Sequence, residues 1–166
     1  MQTLLVFAHT FWENSKANRT LLDSATNLDN VKIHNLSTAY PNGNIDVEFE
    51  MKLLQQSGKI IFQFPLFWFS TPALLKEWQD RVLTAILYGD NPKMLEGKTF
   101  QIITTAGGNA KSYDGHHGYS LETLLSPLKS AFEYSRCKVL EPYCIFSVDV
   151  KNLPLQEYLA EVARVR

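Results

Sequence analysis

The sequence predicts an α/β fold: a doubly wound parallel sheet of five strands with helices on both faces. Three observations carry this expectation. Strand-length apolar runs alternate with helix-period segments five times; several runs are apolar on both faces, as strands of a parallel sheet are; and no repeat, linker or low-complexity segment breaks the alternation. With 166 residues, 45% hydrophobic and 12% aromatic, the chain is expected to be one domain spanning residues 1–166. A chain of this size buries roughly 70% of its unfolded surface and needs no disulfide or metal staple.

Taken in order, Gln2 to Ala8 is the first strand, and Ser15 to Thr26 follows as a helix with Ala17, Leu21, Leu22 and Ala25 on one face. Val31 to Leu36 alternates as a short strand. Pro41, Asn42 and Gly43 punctuate a loop, after which Val47, Met51 and Leu54 mark a helix ending near Gly58. Lys59 to Phe64 is a third strand, stopped by Pro65. The spacing of Leu75, Trp78, Val82, Ala85 and Ile86 predicts one long amphipathic helix, with Thr71 as N-cap and Pro72 at its first position. Thr99 to Thr105 is the fourth strand and Ser120 to Ser135 the next helix, in which Pro127 must lie near the start or kink it. Val139 to Val148 is a fifth strand, placed at an edge by Pro142, and Leu155 to Val165 is the closing helix.

Sixteen basic residues against seventeen acidic ones, with no block of like charge, leave no field to gather nucleic acid or anionic lipid. The opening MQTLLVFAHTFWEN lacks a basic leader and is broken by His9 and Glu13, so a cytoplasmic protein is expected. Cys137 and Cys144 sit seven apart on what reads as one strand, a separation that keeps them as free thiols.

In sheets of this kind ligands bind at the carboxyl ends of the strands, where strand order reverses, which directs attention to the loops after strands one, three and four. The first, His9 to Asn18, crowds Ser15, Lys16 and Asn18 at a helix start, where unpaired N–H groups and the helix dipole favour a phosphate. Read alone it is equally a helix capped by Ser15 or Asn14, with a satisfied strand-end histidine. It matches neither a Gly-x-Gly-x-x-Gly fingerprint nor a Walker sequence. The second, Pro65-Leu66-Phe67-Trp68-Phe69-Ser70-Thr71-Pro72, collects three aromatics in a turn, which a planar ligand would cover. Past Pro65 its N–H groups leave the strand ladder and are expected to be free; a dimer patch or tucked-in aromatic cluster is the other account. The third loop, from Thr104 and Thr105 through Ala106, Gly107 and Gly108 to Tyr113, His116 and His117, pairs glycines for close backbone approach with groups able to hold developing negative charge. The histidines have no Cys or carboxylate set at ligand spacing, so no metal is expected.

His9-x5-Ser15-x2-Asn18, the run Phe64 to Phe69 followed by Ser70-x-Pro72-Ala73-x-Leu75-Lys76-x-Trp78-x-Asp80-Arg81-Val82, and Thr104-Thr105-x-Gly107-Gly108 together resemble the flavodoxin-like NAD(P)H:quinone oxidoreductases. The closest likeness is to a short bacterial branch of general stress flavoproteins and ancillary subunits of glutathione-gated potassium efflux systems. The resemblance runs from Met1 to about Val150. It implies a homodimer that binds FMN, in preference to FAD, and uses NAD(P)H to reduce quinones or similar flat acceptors by two-electron ping-pong transfer. It places His9, Ser15, Lys16, Ala17 and Asn18 around the flavin phosphate and Pro65, Leu66, Phe67, Trp68 and Phe69 along the ring. Thr105, Ala106, Gly107 and Gly108 are placed at the opposite ring edge, and Tyr113 and His117 as the groups that manage its charge. The alternative it carries is a redox-sensing regulatory subunit docked on a potassium efflux transporter. A flavodoxin-type carrier ought to be strongly acidic, unlike this chain.

Overall fold

The computed structural model describes residues 2–116 and 118–164. Its strands are β1 (Thr3–Phe7), β2 (Val31–Asn35), β3 (Lys59–Pro65), β4 (Thr99–Thr105), β5 (Lys138–Val139) and β6 (Tyr143–Ile145). They form one parallel sheet in the order β2-β1-β3-β4-β5, with β6 beyond β5 along the same edge of β4. Thr3 lies opposite both Val31 and Lys59, and Lys59 opposite Thr99, so β1, β3 and β4 start level. Their carboxyl ends therefore release the three loops onto one rim.

Helices α1 (Ala17–Ala25) and α7 (Leu155–Ala163) cover one face, packing with Leu5, Phe7, Ile61 and Ile103. The other face carries α3 (Val47–Gln56), α4 (Ala73–Trp78), α5 (Thr84–Tyr88) and α6 (Leu121–Tyr134), while α2 (Leu36–Ala39) is a single turn after β2. On that face Phe100 stacks on Phe132 at 3.6 Å and Phe62 meets Trp78 and Phe132 edge-on. Both faces are covered, which is why β3 and β4 read as apolar without alternation.

Three elements differ from expectation. The fifth strand is split: β5 and β6 both pair with β4, but the register slips by one residue across Leu140–Pro142. Pro142 has no N–H for the ladder, so the edge accommodates it as a bulge. The helix after the second loop starts one residue late. Pro72 is its N-cap and no side chain caps it; the Pro72 carbonyl accepts from Leu75 N–H, so Thr71 is not needed. That helix also widens into a π-helical turn over Gln79–Leu83 before continuing as α5, with Trp78, Val82 and Ile86 all kept in the core. Pro127 lies mid-helix in α6. The Thr123 carbonyl it cannot reach accepts from the Ser126 hydroxyl at 2.8 Å instead. Of the predicted closing helix, Val165 lies outside the described residues.

Two buried charged groups tie elements together. Glu50 of α3 receives the Trp78 indole at 2.7 Å, the Tyr40 hydroxyl at 2.5 Å and His34 Nε2 at 2.6 Å. Lys59, at the start of β3, donates to the carbonyls of Glu161, Val162 and Arg164 and so closes the last turn of α7. Cys137 and Cys144 are free, and burial pushes their thiols up to about 11 and about 12. Among the described residues no helix is long and apolar enough to cross a membrane.

Candidate active site

The first loop leaves β1 at Ala8 and is pinned from α2. The Ser37 hydroxyl accepts from His9 N–H at 2.9 Å and donates to His9 O at 3.0 Å. Phe11 N–H donates to His9 Nδ1 at 2.9 Å, which requires a lone pair there and places the ring proton on Nε2. Burial lowers the pKa of His9, so the ring is neutral at neutral pH. A tight turn over Trp12–Asn14 then delivers Ser15 and Lys16 to α1. Neither Ser15 nor Asn14 caps this helix: its N-cap is Lys16, and among the described residues no side chain bonds to its first-turn N–H groups. Asn18 is only 4% exposed; its Nδ2 donates to Thr105 Oγ1 at 3.1 Å, joining the first loop to the third. Its Oδ1 is sealed from solvent and has no partner among the described residues. A buried acceptor in that state costs about 1–3 kcal/mol. It fits a hydroxyl or amide donor brought by a ligand.

The second loop is a two-residue hairpin. Phe67 and Ser70 exchange both main-chain hydrogen bonds, at 3.0 and 2.9 Å, around Trp68 (φ 44°) and Phe69 (φ 66°). Two positive φ values in succession make a type I′ turn, which Asn and Gly ordinarily occupy. Of the N–H groups expected to be free beyond Pro65, three are not: Leu66 donates to Thr105 O at 2.8 Å, Phe67 to Ser70 O and Ser70 to Phe67 O. The β3–β4 ladder thus runs one residue past Pro65, and a local strap takes over from Phe67. Trp68 and Phe69 keep unbonded N–H groups among the described residues, and their side chains are 90% and 58% exposed. Phe67 turns inward, edge-on to His9 at 5.2 Å and to Phe11 at 5.9 Å.

At the third loop Thr105 and Ala106 are buried, and Ala106 N–H is consumed by Ile145 O at 2.9 Å. Gly107 and Gly108 follow with N–H groups that bond to nothing among the described residues, and a Cβ on Gly107 would meet only open space. Gly108 is closely packed: a Cβ there would sit 3.0 Å from Tyr113 Cε2. Tyr113 is half-buried, tilted against Phe146 at 5.8 Å, with no hydrogen bond to its hydroxyl among the described residues. His116 is exposed, and His117 lies outside the described residues.

The structure therefore gathers Ser15 to Asn18, Pro65 to Phe69, Thr105 to Gly108 and Tyr113 on one rim. Ser37 and Phe146 belong to the same constellation, yet no local signal marks them; each acts through a contact that only the folded sheet creates. On the far side of the first loop a cleft of about 750 Å³ runs between His9–Asn14, Ser37–Gly43 and the start of α4.

The flavodoxin-like fold family Flavodoxin_2 matches residues 1–165. The chain is 36% identical over 159 residues to the glutathione-regulated potassium-efflux system ancillary protein KefF of Enterobacter sp. (strain 638), covering 92% of this chain and 89% of that protein. Among solved structures it superposes with TM-score 0.86 and 29% identity on general stress protein 14 of Treponema denticola in complex with FMN, covering 98% of this chain and 95% of the other. The NADPH-quinone reductase of P. pentosaceus gives TM-score 0.84 at 29% identity, with the same coverage. With the sheet order β2-β1-β3-β4-β5 and a match along nearly its whole length, the chain belongs to the Flavodoxin_2 family of flavodoxin-like proteins.

Proposed function

We propose that this protein is an FMN-dependent oxidoreductase that carries two electrons from NAD(P)H to quinones or similar flat acceptors. The observation that carries the reading is a set of unspent donors, the N–H groups of Trp68 and Phe69 on one loop and of Gly107 and Gly108 on another, on a rim that also holds the orphaned Asn18 Oδ1. A polar ring with acceptors on its edges and a hydroxylated, phosphorylated tail fits that set. The first-turn N–H groups of α1, Ser15 and Lys16 would hold the phosphate, Asn18 a tail hydroxyl, and Pro65 to Phe69 with Thr105 to Gly108 the ring.

Bound FMN supplies the hydride chemistry; the chain positions it and biases its electronics. The Trp68, Phe69, Gly107 and Gly108 N–H groups are fixed before any ligand arrives, so stabilising negative charge needs no reorganisation at the moment of reaction. The Tyr113 hydroxyl, half-buried and uncommitted, holds or donates a proton at that edge, and His117 is assigned to the same task. Exposed aromatic walls grip planar molecules by stacking and discriminate weakly among them, which supports broad acceptor tolerance. The likeness to an NADPH-quinone reductase and to an FMN-bound relative supports the same chemistry. Free thiols are in keeping with a cytoplasmic site of action.

A homodimer is part of this reading. Leu87, Tyr88 and Tyr134 are 41%, 82% and 74% exposed, the first and last lining a groove of about 560 Å³ between α5 and α6. An apolar patch of this kind suits a second copy of the chain. The likeness to KefF supports a second role, docking on a potassium efflux transporter, which co-purification from the native host tests.

The decisive experiment is reconstitution with FMN followed by anaerobic mixing with NADH or NADPH and then with a quinone. Bleaching of the flavin absorbance by at least one nicotinamide and its return with quinone is expected. Protein that stays colourless after reconstitution overturns the reading.

A further inference from the structure

We infer that Arg19 is the positioning residue of the phosphate cradle and sets the preference for a phosphorylated flavin over the same flavin without its phosphate. The inference rests on the flavin reading above. Arg19 is the third residue of α1, and its side chain folds back over the preceding loop. Nη2 donates to Trp12 O at 3.2 Å and Nε to Ser15 O at 3.4 Å, while the guanidinium carbon lies 4.2 Å from the centre of the Trp12 ring. One planar group thus grips both ends of the turn that carries Ser15 and Lys16 to the helix start. The turn is otherwise held by Trp12 edge-on to Phe7 at 5.2 Å and by two main-chain hydrogen bonds, Asn14 N–H to Phe11 O and Ser15 N–H to Trp12 O, while among the described residues no side chain caps α1. The buried, partnerless Asn18 Oδ1 in the same helical turn independently marks this place as one awaiting a ligand.

The charge matters as well as the shape. Among the described residues no carboxylate pairs with Arg19, so two carbonyl dipoles and an indole face compensate it only in part. The remainder is felt where a phosphate would sit. Lysine keeps the charge but has neither the fork that spans two carbonyls nor the plane that stacks on Trp12.

The test is calorimetric titration of flavin-free protein with FMN and, separately, with riboflavin, for wild type, Arg19→Gln, Arg19→Lys and Trp12→Phe. Arg19→Gln should weaken FMN about tenfold or more, as loss of a charge-assisted contact does, with riboflavin changed by no more than about twofold. Arg19→Lys should fall between, and Trp12→Phe should shift in the same direction by less. Equal weakening of both flavins would make Arg19 a fold-supporting residue only and overturn the inference, as would an unchanged FMN affinity. If Arg19→Gln does not fold, the FMN-to-riboflavin ratio of Arg19→Lys decides the matter on the same terms. Wild-type protein that binds neither flavin defeats the flavin reading itself; wild type that prefers FMN, with Arg19→Gln preferring it equally, defeats only the role of Arg19.

Discussion

Trp68 and Phe69 hold bulky side chains at positive φ, where a Cβ crowds the backbone at a cost of about 1–3 kcal/mol each. Both side chains are largely exposed, so little packing offsets that cost in the free protein. Replacing the pair by Trp68→Asn with Phe69→Gly, the residues this turn type favours, should raise the stability of flavin-free protein by about 1–5 kcal/mol in urea unfolding, the summed strain less the entropy the new glycine gains in the unfolded chain. The same replacement should weaken FMN, since the aromatic walls are gone; unchanged stability would show that the turn stores no strain. Gly108 makes the converse case. Gly108→Ala puts a methyl 3.0 Å from Tyr113 Cε2, so the ring must give way slightly to make room. Tyr113→Phe should slow flavin reduction or reoxidation in stopped flow while leaving FMN affinity within about twofold, the phenol making no hydrogen bond that folding depends on. Rates equal to wild type in both half-reactions would remove Tyr113 from the mechanism. The paired glycines and the aromatic run could be read from sequence because composition alone is unusual there. That Phe67 and Ser70 spend their N–H groups on each other while Trp68 and Phe69 keep theirs could not, because the Phe67–Ser70 strap is a matter of φ and ψ.

The strands and helices were legible wherever burial decides, since an element covered on both sides or on one stripe writes its period into the sequence. They were illegible where a single hydrogen bond decides. Pro142 announced an edge, but the one-residue slip between β5 and β6 appears only once both are set against β4. Likewise nothing in the spacing of Leu75 to Ile86 signals the π-helical turn after Trp78. The Glu50 cluster is of the same kind, its three donors coming from β2, the residue after α2, and α4. Glu50→Ala leaves the Trp78 and Tyr40 donors buried without an acceptor and should cost about 3–5 kcal/mol in urea unfolding. Glu50→Gln, which keeps an acceptor, should cost clearly less. Equal losses would mean that packing rather than hydrogen bonding dominates this junction.

At the scale of the whole molecule, Lys59 and α7 join positions about a hundred residues apart through three carbonyls. Burial pulls the Lys59 amine down to about 8 from an ordinary 10.5. Between those values the unfolded chain binds the proton and the folded chain has released it, so this group makes stability rise with pH. Below pH 8 both states hold the proton and the contribution is flat, with the burial penalty present in full. The unfolding free energy of wild type minus that of Lys59→Met should therefore rise from pH 8 to pH 10, whichever protein is the more stable at pH 8; a signed difference that falls over that range would refute the assignment. No sequence pattern discloses such a lysine, because at the head of a strand it looks like an exposed start. The alternation of strands and helices and the three loops on one rim, by contrast, follow from period and order alone. The chain's three tryptophans have been sorted into three surroundings: Trp78 sealed in the core, Trp12 beneath Arg19, and Trp68 90% exposed at the turn. A planar guest settling at the rim as proposed should therefore strip away the red-shifted share of the emission first, leaving a spectrum that is bluer as well as dimmer.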